Sequence, residues 1–205
     1  MIQIAKSVAV VSRDGAYSTV LDAGGATGPS MLAVVQIAAS GAVFGRARQG
    51  FTIINGGRAG VTVVGGAAGL RTQGVHIEGH VIIRNGAGVR LDADASSVVG
   101  NVIIANTGDA LTIDGAQDQV LRNVAIGNNI IGNAAAILEG IADGDHCGLF
   151  ADETEPVQAT QNYWGDSLGP SQLDADHNCS PKNAVVIPFA RSAYRFGEGP
   201  RSVMP

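Results

Sequence analysis

Three sets of residues in this chain of 205 have the types and spacing to do chemistry. The first is Arg90-Leu91-Asp92, followed 22 positions later by Thr112-Ile113-Asp114. If those segments are neighbouring strands, Asp92 and Asp114 stack with backbones ~4.8 Å apart. Their carboxyl groups could then approach the ~5–5.5 Å separation of a retaining glycosidase pair, or share a calcium ion. Arg90 would stand beside them as an electrostatic stabiliser or base. Acids at strand ends also serve simply to interrupt a sheet and stay solvated.

The second set is His76, Glu78 and His80, which share the outer face of a straight strand and could in principle bind zinc. The helical H-E-x-x-H spacing is absent, Gly79 is expected to bend the strand, and a surface histidine pair is the competing reading. The third is Asp174-Ala175-Asp176-His177-Asn178, whose D-x-D-x-N alternation can present Asp174, Asp176 and Asn178 to Ca²⁺. Neither the glycine nor the closing glutamate of an EF-hand follows, and a solvated acidic cap is the alternative. Cys147 and Cys179, 32 positions apart, are expected to pair, with free buried thiols of a cytosolic chain as the alternative. Such a bridge stabilises by roughly 3–4 kcal/mol in the chain-entropy model and implies an oxidising compartment. Trp164, between Tyr163 and Gly165, is read as a plug over the last coil, with a sugar-stacking platform as the alternative.

The elements that must position these residues are short strands. Gly50 to Asn55, Val81 to Asn85, Val102 to Asn106 and Val124 to Asn128 each read apolar, x, apolar, x, Asn. A second lane follows with Val61 and Val63, Val89 and Leu91, and Leu111 and Ile113; a third carries Ile77, Val98 and Val120. Three period-2 strands per ~22 residues, each too short to fold alone, bury their apolar sides only by stacking on the next turn of the same chain. The expected fold is therefore all-β: a parallel β-helix solenoid with three short strands per coil. Residues 1–142 form the coils and residues 143–205 a C-terminal cap of the same domain. Phe51, Ile53, Val81, Ile83, Val102, Ile104, Val124 and Ile126 are expected inside, and Thr52, Ile82 and Ile103 on an outward stripe that a loop or a second copy could cover. Asn55, Asn85, Asn106 and Asn128 would form one asparagine ladder at an inner corner.

Composition agrees. Glycine is 29 of 205 without a G-X-Y period, so the chain is turn-dense and not collagenous. With only 15% charged residues, disorder and coiled coil are excluded. No apolar run reaches the ~18 residues of a membrane span, and no signal-peptide pattern is visible in Met1 to Arg13. Charge is unevenly spread. From Asn123 to Pro181 there are nine acids and no Lys or Arg, whereas from Ala23 to Leu91 six arginines face one acid, Glu78. Guanidinium forks suit the carboxylates and sulfates of a polyanionic glycan, with scattered solubilising arginines as the alternative. Nucleic acid is disfavoured, because no stacking aromatics interleave these arginines.

The Val-Ile-Ile-Ala-Asn coils, together with Asn162-Tyr163-Trp164-Gly165-Asp166-Ser167-Leu168-Gly169-Pro170, resemble right-handed parallel β-helix proteins of the pectate-lyase-like superfamily, where an N-x-W-G…G-P segment often closes secreted bacterial domains. The resemblance implies the right-handed fold and an extracellular or cell-surface location; it carries over no catalytic residue, since the superfamily holds lyases, hydrolases, epimerases, adhesins and non-enzymes. The initial coil and capping helix of that family have no legible counterpart at the start of the chain. The functional expectation is a non-catalytic polysaccharide-binding or structural surface module. A polysaccharide lyase or hydrolase built on Arg90, Asp92 and Asp114 comes next, and a fragment of a larger adhesin or lyase third.

Overall fold

The computed structural model describes residues 1–24, 32–65, 71–114, 123–133, 147–152, 156–170, 175–180 and 182–195, and these contain short strands and no helix. Coil one comprises β1 (Ile2–Ile4), β2 (Ala9–Val10) and β3 (Val20–Asp22); coil two, β4 (Val35–Ile37), β5 (Val43–Phe44) and β6 (Thr52–Ile54). Coil three holds β7 (Val61–Val63), β8 (His76–Glu78) and β9 (Val81–Ile83); coil four, β10 (Val89–Asp92), β11 (Ser97–Val99) and β12 (Val102–Ile104). Coil five holds β13 (Leu111–Asp114), β14 (Val124–Ile126) and β15 (Asn129–Ile131). After it come β16 (Leu149–Asp152), β17 (Val157–Gln158) and β18 (Ala184–Val185).

Each strand pairs in parallel with its counterpart one coil away. Sheet A runs β1-β4-β7-β10-β13-β16, sheet B runs β2-β5-β8-β11-β14-β17-β18, and sheet C runs β3-β6-β9-β12-β15. This is a parallel β-helix with three strands per coil, and parallel crossovers between L-residue strands coil right-handed. The steps from Val89 to Leu111 (22 residues), Ile77 to Val98 (21) and Val81 to Val102 (21) have the length read from the sequence, whereas Val61 to Val89 takes 28. The extra residues go into loops and leave the strand register intact.

The core is the inside of the coil. Sheet A points Val35 and Ile37, Val61 and Val63, Val89 and Leu91, and Leu111 and Ile113 inward, all essentially fully buried, as the alternation predicts. Sheet B contributes Phe44, Ile77, Val98 and Ala125. Sheet C contributes Ile53, Ile82, Ile103 and Ile130. Here the sequence reading of the faces is inverted for most strands. Phe51 and Ile53 are buried as expected, but Val81, Ile83, Val102, Ile104, Val124 and Ile126 lie half-buried on outer faces, and Ile82 and Ile103 are core residues. Val124 to Ile126 belongs to sheet B, not to the lane of Val102. Val120 lies outside the described residues.

The cause is the corner. A residue with positive φ follows each of these strands, and the next residue turns into the core. Between sheets B and C the pairs are Gly79-His80 (φ 74°), Gly100-Asn101 (φ 61°), Gly127-Asn128 (φ 67°) and Gln161-Asn162 (φ 58°). Leaving sheet C they are Asn55-Gly56 (φ 63°), Arg84-Asn85 (φ 57°), Ala105-Asn106 (φ 51°) and Gly132-Asn133 (φ 60°). The left-handed residue breaks the period of two, so inward positions run i, i+3 across the corner: Ile82 and Asn85, Ile103 and Asn106, Val98 and Asn101.

Two asparagine ladders result, not one. In the first, Asn106 Oδ1 accepts the Asn85 backbone N–H at 2.9 Å and its amide at 3.0 Å, while Asn133 Oδ1 accepts the same pair from Asn106 at 3.2 and 2.8 Å. In the second, Asn128 Oδ1 accepts from Asn101, and Asn162 Oδ1 accepts from Asn128. Asn128 therefore belongs to the second ladder. Asn55 belongs to neither: it is the left-handed residue itself, and its amide donates to Asp22 at 2.8 Å.

The coil continues past residue 142. β16 extends sheet A in register with β13, and β17 extends sheet B, so the first part of the segment read as a cap is another turn of the solenoid. Trp164 is fully buried as the plug of this end. Cys147 and Cys179 form the expected disulfide. The chain then returns across the end: β18 pairs with β17, and the Asn129 side chain binds both the N–H and the carbonyl of Tyr194 at 2.8 Å.

Replacing Asn106 with Ala orphans the buried Asn85 N–H and removes the amide bonds to the Ile82 carbonyl and Asn133 Oδ1, and is expected to cost about 2–4 kcal/mol in urea denaturation. Asn55→Gly, at a left-handed corner outside the ladder, is expected to stay within about 0.5 kcal/mol of the parent.

Candidate functional site

Register decides which of the candidate residues meet. Asp92 pairs with Asp114, and Asp114 with Asp152, so three carboxylates form a column at the end of sheet A, one per coil. The sequence reading placed the first two together; the third lies in the segment read as cap. Arg90 sits one residue before, on the outer face of the sheet, in a row with Gln36, Thr62 and Thr112. All four are half-buried and alternate with the buried aliphatic positions.

The cation that holds Asp92 is Arg71. Its Nη2 lies 2.8 Å from Asp92 Oδ1, its Nε donates to Asp94 at 3.2 Å, and Nη2 also donates to the Asp114 carbonyl at 2.7 Å. The other Asp92 oxygen accepts the Gly65 backbone N–H at 3.0 Å. A Cβ on Gly65 would run into that carboxylate, so the close approach requires glycine. Arg71 precedes Asp92 by 21 positions, the interval at which Gln73 bridges Asp94, although the sheet A step from Val63 to Leu91 is 28.

Asp114 stands at the exposed end of β13. Desolvation of its carboxyl, then the charges of Asp92 and Asp152, raise its pKa, against the opposing pull of Arg71 and Arg90. The arrangement can accept hydrogen bonds from hydroxyl groups and attract cations at Asp114 and Asp152, while Arg90 offers a fork to an anion.

The histidine set does not come together. His76 lies on the outer face, with Nε2 2.9 Å from Glu78 Oε2 and Nδ1 2.6 Å from Ser97 Oγ. Gly79 turns the chain, as expected, and sends His80 into the core. There its Nδ1 accepts the Phe51 N–H at 3.0 Å and its Nε2–H donates to the Phe44 carbonyl at 2.8 Å. The ring stacks on Phe44 with centroids 4.2 Å apart. Both ring nitrogens are occupied, so a His76-Glu78-His80 zinc site is not formed. Burial pushes the His80 pKa down to about 4.

Asp176 closes the first ladder. It is buried, and its Oδ1 accepts the Asn133 N–H at 2.9 Å in the place where the next asparagine would stand. Desolvation pushes its pKa up to about 6 against these hydrogen bonds. Among the described residues its Oδ2 and the Trp164 indole Nε1 have no hydrogen-bond partner. Asn178 Oδ1 accepts the Ser180 N–H at 3.1 Å, and Asp174 lies outside the described residues. Asp176 is therefore committed to the ladder rather than turned outward beside Asn178. Among the described residues, no three His, Cys, Asp or Glu side chains converge on a metal position.

No protein-family model, no curated protein and no solved structure matches this chain.

His80 and Asp176 give opposite pH dependences. His80 titrates lower in the folded chain than its ordinary 6.5, so its stability contribution is lost as pH falls from about 6.5 to about 4. Asp176 titrates higher than its ordinary 3.8, so its contribution grows as pH falls from about 6 to about 4. Each shift is worth about 3 kcal/mol across its window. Asp176→Asn is expected to stabilise the protein by about that amount at pH 7, with the advantage gone near pH 4. Urea denaturation of both proteins at the two pH values measures it, and an advantage that does not change with pH contradicts a proton-linked Asp176.

Proposed function

We propose that this chain is a secreted, non-catalytic parallel β-helix module that binds an acidic polysaccharide at the cell surface. The observation that carries the reading is the state of Asp92: Arg71 and the Gly65 N–H occupy both of its oxygens, so the carboxylate best placed to be a nucleophile or base is already engaged. What remains open to solvent is a recognition surface. The row Gln36, Thr62, Arg90 and Thr112 repeats polar groups along the solenoid at ladder spacing, a register suited to a polymer with repeating hydroxyl and carboxylate groups. The five arginines between Ala23 and Leu91 other than Arg71, which Asp92 and Asp94 hold, supply the attraction for a polyanion.

Two further features support the setting. The disulfide fits an oxidising compartment. The β-helix with its N-x-W-G closing segment supports kinship with the pectate-lyase-like superfamily, which includes lyases and hydrolases as well as non-enzymes. Calcium enters the proposal as an ion bridging glycan carboxylates to the exposed Asp114 and Asp152, and not through Asp176, which the ladder holds. A lyase or hydrolase is the second reading, favoured by one observation: the exposed Asp114 carboxyl, with its raised pKa, lies within the fields of Arg90 and Asp152 and could act as a general acid.

Polygalacturonate, alginate and a sulfated glycan, each with and without Ca²⁺, separate the readings. Retention in affinity electrophoresis is expected on at least one of them, weakened several-fold by Arg90→Ala and by high salt. Ultraviolet absorbance from new double bonds and reducing ends should both stay flat. A rise in either that Asp114→Ala abolishes makes the chain an enzyme, and no retention on any of the three removes the binding proposal.

A further inference from the structure

The outer face of sheet B carries a hydrogen-bonded chain of three polar side chains. Ser97 in β11 is the register partner of His76 in β8, and its Oγ lies 2.6 Å from His76 Nδ1. On its other side the ring reaches along its own strand to Glu78, with Nε2 2.9 Å from Oε2. A carboxylate only accepts, so Nε2 carries the ring proton and Nδ1 keeps its lone pair for the serine O–H. All three side chains are half-buried and open to solvent. Among the described residues, the Ser97 hydroxyl and the two His76 nitrogens make no other hydrogen bond, whereas both nitrogens of His80 are spent on the backbone.

We propose that Ser97 is a nucleophile, with His76 as its general base and Glu78 positioning the imidazole, and that the site hydrolyses esters of short aliphatic acids. The geometry meets both requirements of an activated nucleophile: base within reach of the hydroxyl, and base oriented by a third group. Either ring nitrogen can take the proton, and such a set is recognised by its contacts and not by its order in the chain. The acyl preference follows from the surroundings. Val99 lies beside Ser97 on β11, and Val124 and Ile126 beside it on β14, all half-buried, which makes a shallow apolar floor. The Ser97 N–H is bound to the Val75 carbonyl and the Val124 N–H to the Ser96 carbonyl, so neither is free for an oxyanion. Solvent must stabilise that charge, and only esters with a good leaving group react quickly.

In the reaction, Ser97 Oγ attacks the ester carbonyl carbon while its proton passes to His76 Nδ1. The bond from that carbon to the leaving oxygen breaks, and His76 returns the proton to the departing alcohol. Water, deprotonated by His76, then attacks the acyl-serine, releasing the carboxylic acid and restoring the hydroxyl. The non-catalytic reading above concerns glycosidic bonds at sheet A. Ester cleavage on sheet B is a separate activity, and its failure leaves that reading untouched.

Hydrolysis of p-nitrophenyl acetate, with mass spectrometry of the protein, tests the proposal. Release above the buffer rate is expected, with an acetyl group on Ser97 during turnover and a fluorophosphonate probe attached to the same residue. Imidazole alone accelerates such esters, so the deciding variant is Ser97→Ala, which keeps His76 and should lose about tenfold or more of the rate, as should His76→Ala. Glu78→Gln should lower kcat with KM unchanged, and Glu78→Asp should recover part of it. Near-ultraviolet circular dichroism checks that each variant is folded. Hydrolysis that folded Ser97→Ala retains overturns the proposal, as do a label on another residue, an acetyl-Ser97 that does not turn over, and a rate no higher than that of buffer.

Discussion

The fold rests on satisfying the backbone at its corners. A strand of three residues that bends into the next buries peptide groups that no sheet ladder reaches, and an unpaired buried N–H costs about as much as one or two good hydrogen bonds gain. An inward asparagine answers both needs. Its carbonyl oxygen takes the N–H of the corner one coil earlier, and its amide donates to a strand carbonyl, as Asn106 does for Asn85 and Ile82. Such a residue can enter the core only if the one before it adopts the left-handed conformation, and glycine or a short or strained residue fills that place at every corner of the two ladders. Successive ladder residues are 21, 27 or 34 positions apart in sequence, yet their hydrogen bonds keep the same geometry. Register is set at the corner, and chain length is free to vary elsewhere.

His80 and Asp176 show how far the rule bends. His80 takes a ladder position, receives the Phe51 N–H on Nδ1 and passes its own N–H to Asn101. It does an asparagine's work with a ring that can also stack on Phe44, and it stays neutral because a charge there would be desolvated. Asp176 ends the other ladder with an acceptor and no amide, which suits a last rung with no further coil to donate to. Its unpaired oxygen is the cost of using a carboxyl there.

The architecture was legible in the repeat of apolar, x, apolar, x, Asn, and the sheet A lanes and the disulfide follow from alternation and spacing. Ile77 and Val98 of sheet B and Ile53 of sheet C also face in as read, but the facing of β9, β12 and β14 was not legible. In Val81-Ile82-Ile83 every residue is aliphatic, so composition cannot tell inside from outside, and the choice falls on parity with Asn85. Parity continued through Arg84 points Ile83 inward; the left-handed turn at Arg84 reverses it. The same turn sends His80 away from His76. The insertion between β13 and β14 moved Asn128 from one ladder to the other, because a 22-residue interval counted straight across it lands on the wrong corner. Asp92 and Asp114 were placed together because no left-handed residue intervenes in β10 or β13. Arg71 escaped because it lies on no strand, although the coil interval reaches it.

The separation of charge does not arise from the fold. Aliphatic residues outside sheet C stabilise their own ladder by cross-strand contact and need no partner to justify them. Charges several coils apart are different: at ~4.8 Å per coil, three or four coils exceed the ~8 Å Debye length at physiological ionic strength, so the arginines of coils two and three do little to relieve the acids of the last coils. Ion pairs form locally instead, as Arg71 does with Asp92 and Asp94. The crowding registers at Asp114, whose pKa is raised by desolvation and then by the charges of Asp92 and Asp152. Relief must come from outside the monomer, as cations or a basic surface at one end and a polyanion at the other. A glycan along sheet A would supply part of it at the basic end.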